Sequence, residues 1–273
     1  MKQYFNLFDF SQKVNYRTEI LAGLTVAMTM IPESLSFAIL ADFPPLVGLY
    51  AAFIMGLVTA IFGGRPGLVS GGAGATVIVL IALMKSHGLD YVFAAVALAG
   101  VIQILIGLFK LGKFIRLVPQ PVMFGFVNGL AVIIFMSQLE QFKTLVNGES
   151  VWLTGSPLYI MVGLVALTIG IVLGFPKITK VVPASLVAIM VVFAIVLGFG
   201  IQTKTVADIA SVSGGFPPFH IPNIPLNLET LQLILPYGLI MASVGLTEGL
   251  LTLNLVDEIT GTKGNGNREC VAQ

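Results

Sequence analysis

The chain has 273 residues, 56% of them hydrophobic and only 10% charged, where an ordinary soluble domain carries about a quarter charged residues. Its net charge is +1 and no basic tract suggests a nucleic-acid partner. A single cysteine, Cys270, excludes a disulfide framework and a thiolate metal cluster.

What remains is a membrane protein. Uncharged or nearly uncharged runs recur over 20–41, 43–64, 66–84, 91–109, 117–139, 150–176, 181–203 and 230–256, each near or above the ~20 residues that cross a ~30 Å hydrocarbon core as helix. Eight runs predict an all-α polytopic fold. Residues 1–16, with "YFNLFDF", read as an amphipathic interfacial segment. They lack the apolar core and small-residue site of a cleavable signal, so the first span is expected to stay in the membrane.

In the first span, "AMTMIPESLSFAIL" places Glu33 directly after Pro32 at membrane depth. An acid there is costly unless it pairs, binds a cation or is protonated, which makes it a functional candidate. The third run, "GGRPGLVSGGAGATVIVLIALMK", holds Gly67, Gly71, Gly72 and Gly74, and each interior glycine costs a helix about 1 kcal/mol relative to alanine. The spacing predicts extended chain from Gly67 to about Gly72, then a helix from about Ala73 to Lys85. Such a helix begins near the midplane and points its unbonded amides and the positive end of its dipole inward, which is an anion site. Ala73, Gly74, Ala75 and Thr76 supply the donors, and Ser70 or Thr76 adds a hydroxyl.

Further along, Gln103 in the fourth run and Asn128 in the fifth read as interhelical hydrogen-bonding residues. The connector "SVSGGFPPFHIPNIPLN" reads as an ordered external loop. In the last run Glu248 has Thr252 one turn later on the same face, a second intramembrane acid and a candidate for cation coupling. No Lys or Arg lies inside a span to neutralise a bound anion, so a co-transported proton or sodium ion is the expected counter-charge. The sequence holds no HExxH, GxSxG or Walker pattern, and a non-enzymatic function is expected.

Lys and Arg sort by loop only if the glycine-rich run crosses: eleven then fall on one side and three, Lys85, Lys143 and Lys204, on the other. The positive-inside rule puts the N-terminus in the cytoplasm of a multi-pass inner-membrane protein.

The pieces "IPESLSFAIL", "PPLVGLYAAFIMGLVTAIFGG", "RPGLVSGGAGATVIV", "KLGKFIRLVPQPVMFGFVNGLAVIIF" and "LTEGLLTLNLVDEITGTKGNGNRECVAQ" run through most of the chain in an order that resembles the SulP family of inorganic anion transporters. The resemblance implies a UraA-like fold of two inverted repeats of seven segments, with a broken third segment made of a short strand and a half-helix. It implies an interfacial segment at 1–16, a core domain of spans one to four at 17–112, a gate domain of spans five to seven at 113–203, an external connector at 204–228, and the start of the second repeat at 229–273. A second broken helix facing the first, and often a STAS domain, are expected beyond Gln273.

By position, Ala73 to Thr76 resemble half of the family's substrate site, Glu248 its cation-coupling acid and Thr252 that acid's companion. Glu33 stands where many relatives carry Gln. The function implied is secondary transport of sulfate, bicarbonate or a similar anion, coupled to Na+ or H+ by an elevator movement, in a homodimer when full length. An anion channel and a nucleobase–proton symporter on the same architecture remain open alternatives.

Overall fold

The structure, a computed structural model, describes residues 15–112, 120–146, 149–179, 182–203, 205, 214–217, 219, 221–225 and 227–273. The interfacial segment up to residue 14, the start of the fifth segment at 113–119 and much of the connector lie outside the described residues. Helices take up the eight apolar runs: α1 (Tyr16–Leu40), α2 (Pro45–Phe62), α3 (Gly74–His87), α4 (Leu89–Leu108), α5 (Gln120–Leu139), α6 (Ser156–Gly174), α7 (Ala184–Gly198) and α8 (Leu228–Thr260). A short helix, α9 (Gly266–Ala272), follows. Among the described residues, five helical stretches are long and apolar enough to cross a membrane, those of α1, α2, α4, α6 and α8, while α3 and α7 are shorter apolar helices.

Local chemistry sets the boundaries. Pro45 opens α2 at a position where its missing N–H costs nothing. Asn227 caps α8 by accepting from the Thr230 amide at 2.8 Å, and Gly261, left-handed at φ 65°, ends it. α1 runs through Pro32 without interruption.

One element departs from the sequence reading. The sixth apolar run begins not as helix but as a two-stranded antiparallel hairpin, β1 (Lys143–Val146) with β2 (Glu149–Trp152), before α6 starts at Ser156. Val151 and Trp152 are strand formers, and Gly155 at φ 67° separates them from the helix. Lys143 lies 5.0 Å from the Trp152 ring centroid, so the chain's one tryptophan meets a cation across the hairpin.

The described residues divide into two compact units, one within 33–130 and 214–273, the other within 15–32 and 131–205. In the second, α6 packs against α7 and the single turn at 175–177. The first holds the candidate site and is built around α3, α4 and α8. α4 turns Val92, Ala95, Ala99, Gln103 and Gly107 inward, and α8 turns Ile234, Gly238, Ala242, Leu246, Gly249 and Leu253 inward. These near-four-residue stripes of mainly small side chains let two helices approach closely where lipid gives no hydrophobic drive. A Cβ on Gly238 would sit 3.1 Å from the Leu98 side chain.

Two apolar clusters fix the register of α3 on α8. Leu80 and Leu83 of α3 pack with Val92, Ala95 and Ile234. Leu68, in the lead-in to α3, packs with Leu246, Leu250, Leu253 and Cys270. α3 and its lead-in therefore run along α8.

Candidate functional site

The third segment enters as extended chain. Residues 68–73 carry no regular hydrogen-bonded structure, and Ala73, at φ −109° and ψ 135°, is the last extended residue before α3. Gly67 turns at φ 84°, a conformation that demands glycine. α3 is 14 residues long, about 21 Å at 1.5 Å per residue, so the extended lead-in must supply the remaining depth.

At its start the amides of Ala73, Gly74, Ala75 and Thr76 meet no acceptor among the described residues. Gly74 and Ala75 are buried and their neighbours half-buried. Buried amides are almost always paired, and a helix N-terminus adds a partial positive charge of about half a unit. The Thr76 hydroxyl is not part of this donor set: it donates to the Ala73 carbonyl at 2.8 Å, closing its own turn. Ser70 is half-buried in the lead-in, and its hydroxyl has no partner among the described residues.

On α8, Glu248 is half-buried and Thr252 exposed. The Thr252 hydroxyl donates to the main-chain carbonyl of Glu248 at 2.9 Å, which leaves the carboxylate itself without a partner among the described residues. Glu248 lies on α8 between Leu246 and Leu250, two members of the cluster against which Leu68 of the lead-in packs. Glu33 is exposed on α1, and Asn128 is exposed on α5. Gln103 is buried at 8% exposure, yet its amide packs on Gly245 and makes no hydrogen bond among the described residues. Gly245 is the sequence signal for that contact, while Gly249, one turn later, lies against the Gln273 side chain.

Sequence reasoning missed a polar assembly at the Arg65 end of the lead-in. Arg65 is buried and forms an ion pair with Asp257 at 3.3 Å. Its other terminal nitrogen donates to the Val256 carbonyl at 3.2 Å, to the Thr262 hydroxyl at 2.8 Å and to the Thr260 hydroxyl. Arg65 thus caps the C-terminal turn of α8, where cations complement the dipole. Arg268 does the reverse for α2, donating to the Phe62 and Ile61 carbonyls at 2.8 and 3.3 Å. Glu269, 1% exposed, accepts from the Gly64 amide at 2.8 Å. Burial pushes its carboxyl above the ordinary value, while the Gly64 amide and Arg268 pull it down. Gly64 admits no side chain, since its Cβ would fall 2.0 Å from the Asn265 carbonyl.

A set of apolar helices whose third member is entered by extended chain and begins among buried residues matches the UraA-like fold. The solved transmembrane domain of a cyanobacterial bicarbonate transporter, BicA, superposes with TM-score 0.79 at 28% identity, covering 97% of this chain and 71% of that one. The murine Slc26a9 anion transporter, in its inward-facing state, shares the fold with TM-score 0.73 at 18% identity over 99% of this chain and 50% of its own. The chain belongs to the sulfate permease family, whose model matches residues 16–273. It is 41% identical over 259 residues to the putative sulfate transporter YbaR of Bacillus subtilis, covering 95% of this chain and 52% of that protein. To the bicarbonate transporter BicA of Picosynechococcus it is 31% identical over 286 residues, 95% of this chain and 49% of the relative. The chain spans about half the length of the curated relatives it matches.

Proposed function

We propose that the full-length protein carries a small inorganic oxyanion, sulfate or bicarbonate, across the cell's inner membrane by secondary active transport. The observation that carries this reading is the cluster of unpartnered amides at Ala73 to Thr76. Backbone donors at a helix start bind oxyanions without a charged side chain, and relatives bearing sulfate and bicarbonate transporter names support the substrate class. Ser70 and Glu33 are proposed as flanking polar groups. Glu248, with the Thr252 hydroxyl oxygen beside it, is proposed to take the coupling ion, Na+ or H+, because an unpaired acid at that depth is stabilised by either.

The N-terminus is placed on the cytoplasmic side by the distribution of Lys and Arg. The transport step is an elevator movement of the body built on α3, α4 and α8, and the working protein is a homodimer in the bilayer. The test is uptake of radiolabelled sulfate and of bicarbonate by the full-length protein in proteoliposomes, with and without Na+ and pH gradients, alongside Glu248→Gln. Saturable, gradient-dependent uptake that Glu248→Gln uncouples is the expected result. Ohmic anion current sinks the transporter reading, and uracil uptake without anion uptake sinks the substrate class.

A further inference from the structure

The arginines at 65 and 268 exchange roles. Arg65, three residues after the end of α2, caps α8, whereas Arg268, eight residues after the end of α8, caps α2. Around this exchange the Asn265 amide donates to the Gly64 carbonyl at 2.9 Å, and the Gly264 amide donates to Asp257 at 2.9 Å. α9 also lies against the end of α4, where a Cβ on Gly107 would come 2.5 Å from the Val271 side chain. These contacts tie four things together: the end of α2, the lead-in to α3, the end of α8, and α9.

The consequence reaches the site. Only nine residues of chain separate Arg65 from Gly74, and Leu68 between them is packed on α8. On the other side, Glu248 and Asp257 belong to one continuous helix, nine residues apart, about 13 Å along its axis. The separation between the α3 amides and the Glu248 carboxylate is therefore bridged at one end by the Arg65 clasp. We propose that Arg65 is a positioning residue: the reciprocal clasp stays closed throughout the transport cycle and holds the α3 amide cluster at a fixed spacing from Glu248. A guanidinium suits the task, because its planar fork addresses several acceptors at set angles and an ammonium does not. The proposal rests on the transport reading above.

A disulfide tests permanence. A Cβ on Gly112 would lie 3.1 Å from the Cys270 sulfur, close to the ~3 Å between a Cβ and the far sulfur of a disulfide of ordinary geometry. Gly112→Cys is made in the full-length protein, with any cysteine other than Cys270 changed to Ser. Burial and Glu269 push the Cys270 thiol up to about 11, so a membrane-permeant oxidant is added. Rapid, complete cross-linking with uptake retained is the expected result. Uptake lost on oxidation and regained with reductant overturns the closed clasp, and so does cross-linking that stays slow and partial.

The second arm is Arg65→Lys in the same proteoliposomes. The half-saturating concentrations of anion and of coupling ion are expected to rise together, by about tenfold, with little change in maximal rate. A fall in thermal stability with both half-saturations unchanged makes the clasp merely structural and overturns the positioning role. If Arg65→Lys does not fold, Thr262→Val, which removes one acceptor, carries the same comparison with a smaller shift. Absence of uptake by the unmodified protein is the failure of the transport reading, and the positioning role falls with it. Loss confined to the cross-linked form or to Arg65→Lys belongs to this proposal alone.

Discussion

The two ends of the lead-in to α3 treat buried polar groups in opposite ways. At Gly64 and Arg65 the chain answers them from its own distant parts: guanidinium to carboxylate, amide to carboxylate, arginines to helix carbonyls. At Ala73 to Thr76, nine residues on, four amides have no acceptor among the described residues, and the threonine hydroxyl that might have served them has turned back on its own helix. Both ends are packed against α8, so packing alone does not separate them. The first end is a joint whose partners lie within the chain, with Arg65 Nε and Glu269 Oε1 left unpaired among the described residues. The second is a set of amide donors without an acceptor among the described residues, the set proposed above to take the anion.

The largest effect that breaks this comparison lies at the joint. Asp257→Ala leaves the Arg65 guanidinium buried without its counter-charge, a loss of about 3–5 kcal/mol when one partner of a buried pair is removed. The three oxygen acceptors that remain, at Val256, Thr260 and Thr262, place the expectation at the lower end of that range. Unfolding in detergent, followed by heat or denaturant, measures it. A change under about 1 kcal/mol, the ordinary worth of an exposed pair, contradicts the reading of this end as a buried joint.

Next in size is the donor cluster. Gly74→Pro removes one amide at the first position of α3, where proline is tolerated, and the preceding Ala73 is already in the extended region that a following proline requires. The stability of the anion-free protein is expected to change little, while anion affinity falls by about ten- to a hundredfold, the worth of one hydrogen bond to a charged acceptor. Anion-dependent thermal stabilisation reads both quantities in one titration. Unchanged affinity with a stable protein removes the amides from the site.

These contrasts were unequally legible in the sequence. The eight apolar runs follow from hydropathy alone, and the start of α3 falls at Gly74, one residue from the expected Ala73, because glycine and proline punctuate the run. The shared face of Glu248 and Thr252 follows from helical spacing, but the turn of the threonine hydroxyl to the main chain does not. The joint was invisible, since Arg65 and its acceptor Val256 are 191 residues apart and no local pattern links them. In the sequence both clasp arginines register only as loop charges. The hairpin at 143–152 was hidden by its own composition, because Val151 and Trp152 read equally well as the start of a span. Gln103 was read as a hydrogen-bonding residue, whereas Gly245 opposite lets it pack without one.

A smaller effect sharpens the joint by pH. Burial raises the Glu269 carboxyl above its ordinary value, so the folded protein holds that proton more tightly than the unfolded chain does. The stability this contributes is present at low pH, and is lost as pH rises from the ordinary carboxylate value through the raised one. Glu269→Gln keeps an oxygen for the Gly64 amide and carries no charge to bury. Its stability relative to the unmodified protein is expected to increase across that window and to level off above it. Melting temperatures from pH 4 to pH 8 give the difference curve, and a difference that falls with pH reverses the assignment.

The smallest effect belongs to a pair that in sequence looks much like the joint. Lys85, at the far end of α3, faces Asp42 at 3.5 Å, a residue near a helix end paired with one from a loop, as Asp257 and Arg65 are at the near end. Their surroundings differ: the side chains of Lys85 and Asp42 are 66% and 63% exposed, those of Arg65 and Asp257 6% and 16%. Water screens the exposed pair, and holding two flexible side chains together offsets most of its attraction. Asp42 also sits at φ 60°, a left-handed conformation that Asn adopts as readily as Asp. Asp42→Asn therefore removes a charge without adding strain, and is expected to change unfolding free energy by less than about 0.5 kcal/mol. A loss as large as that of Asp257→Ala means that charge pairing, whatever its burial, holds both ends of α3, and the distinction between joint and surface pair disappears.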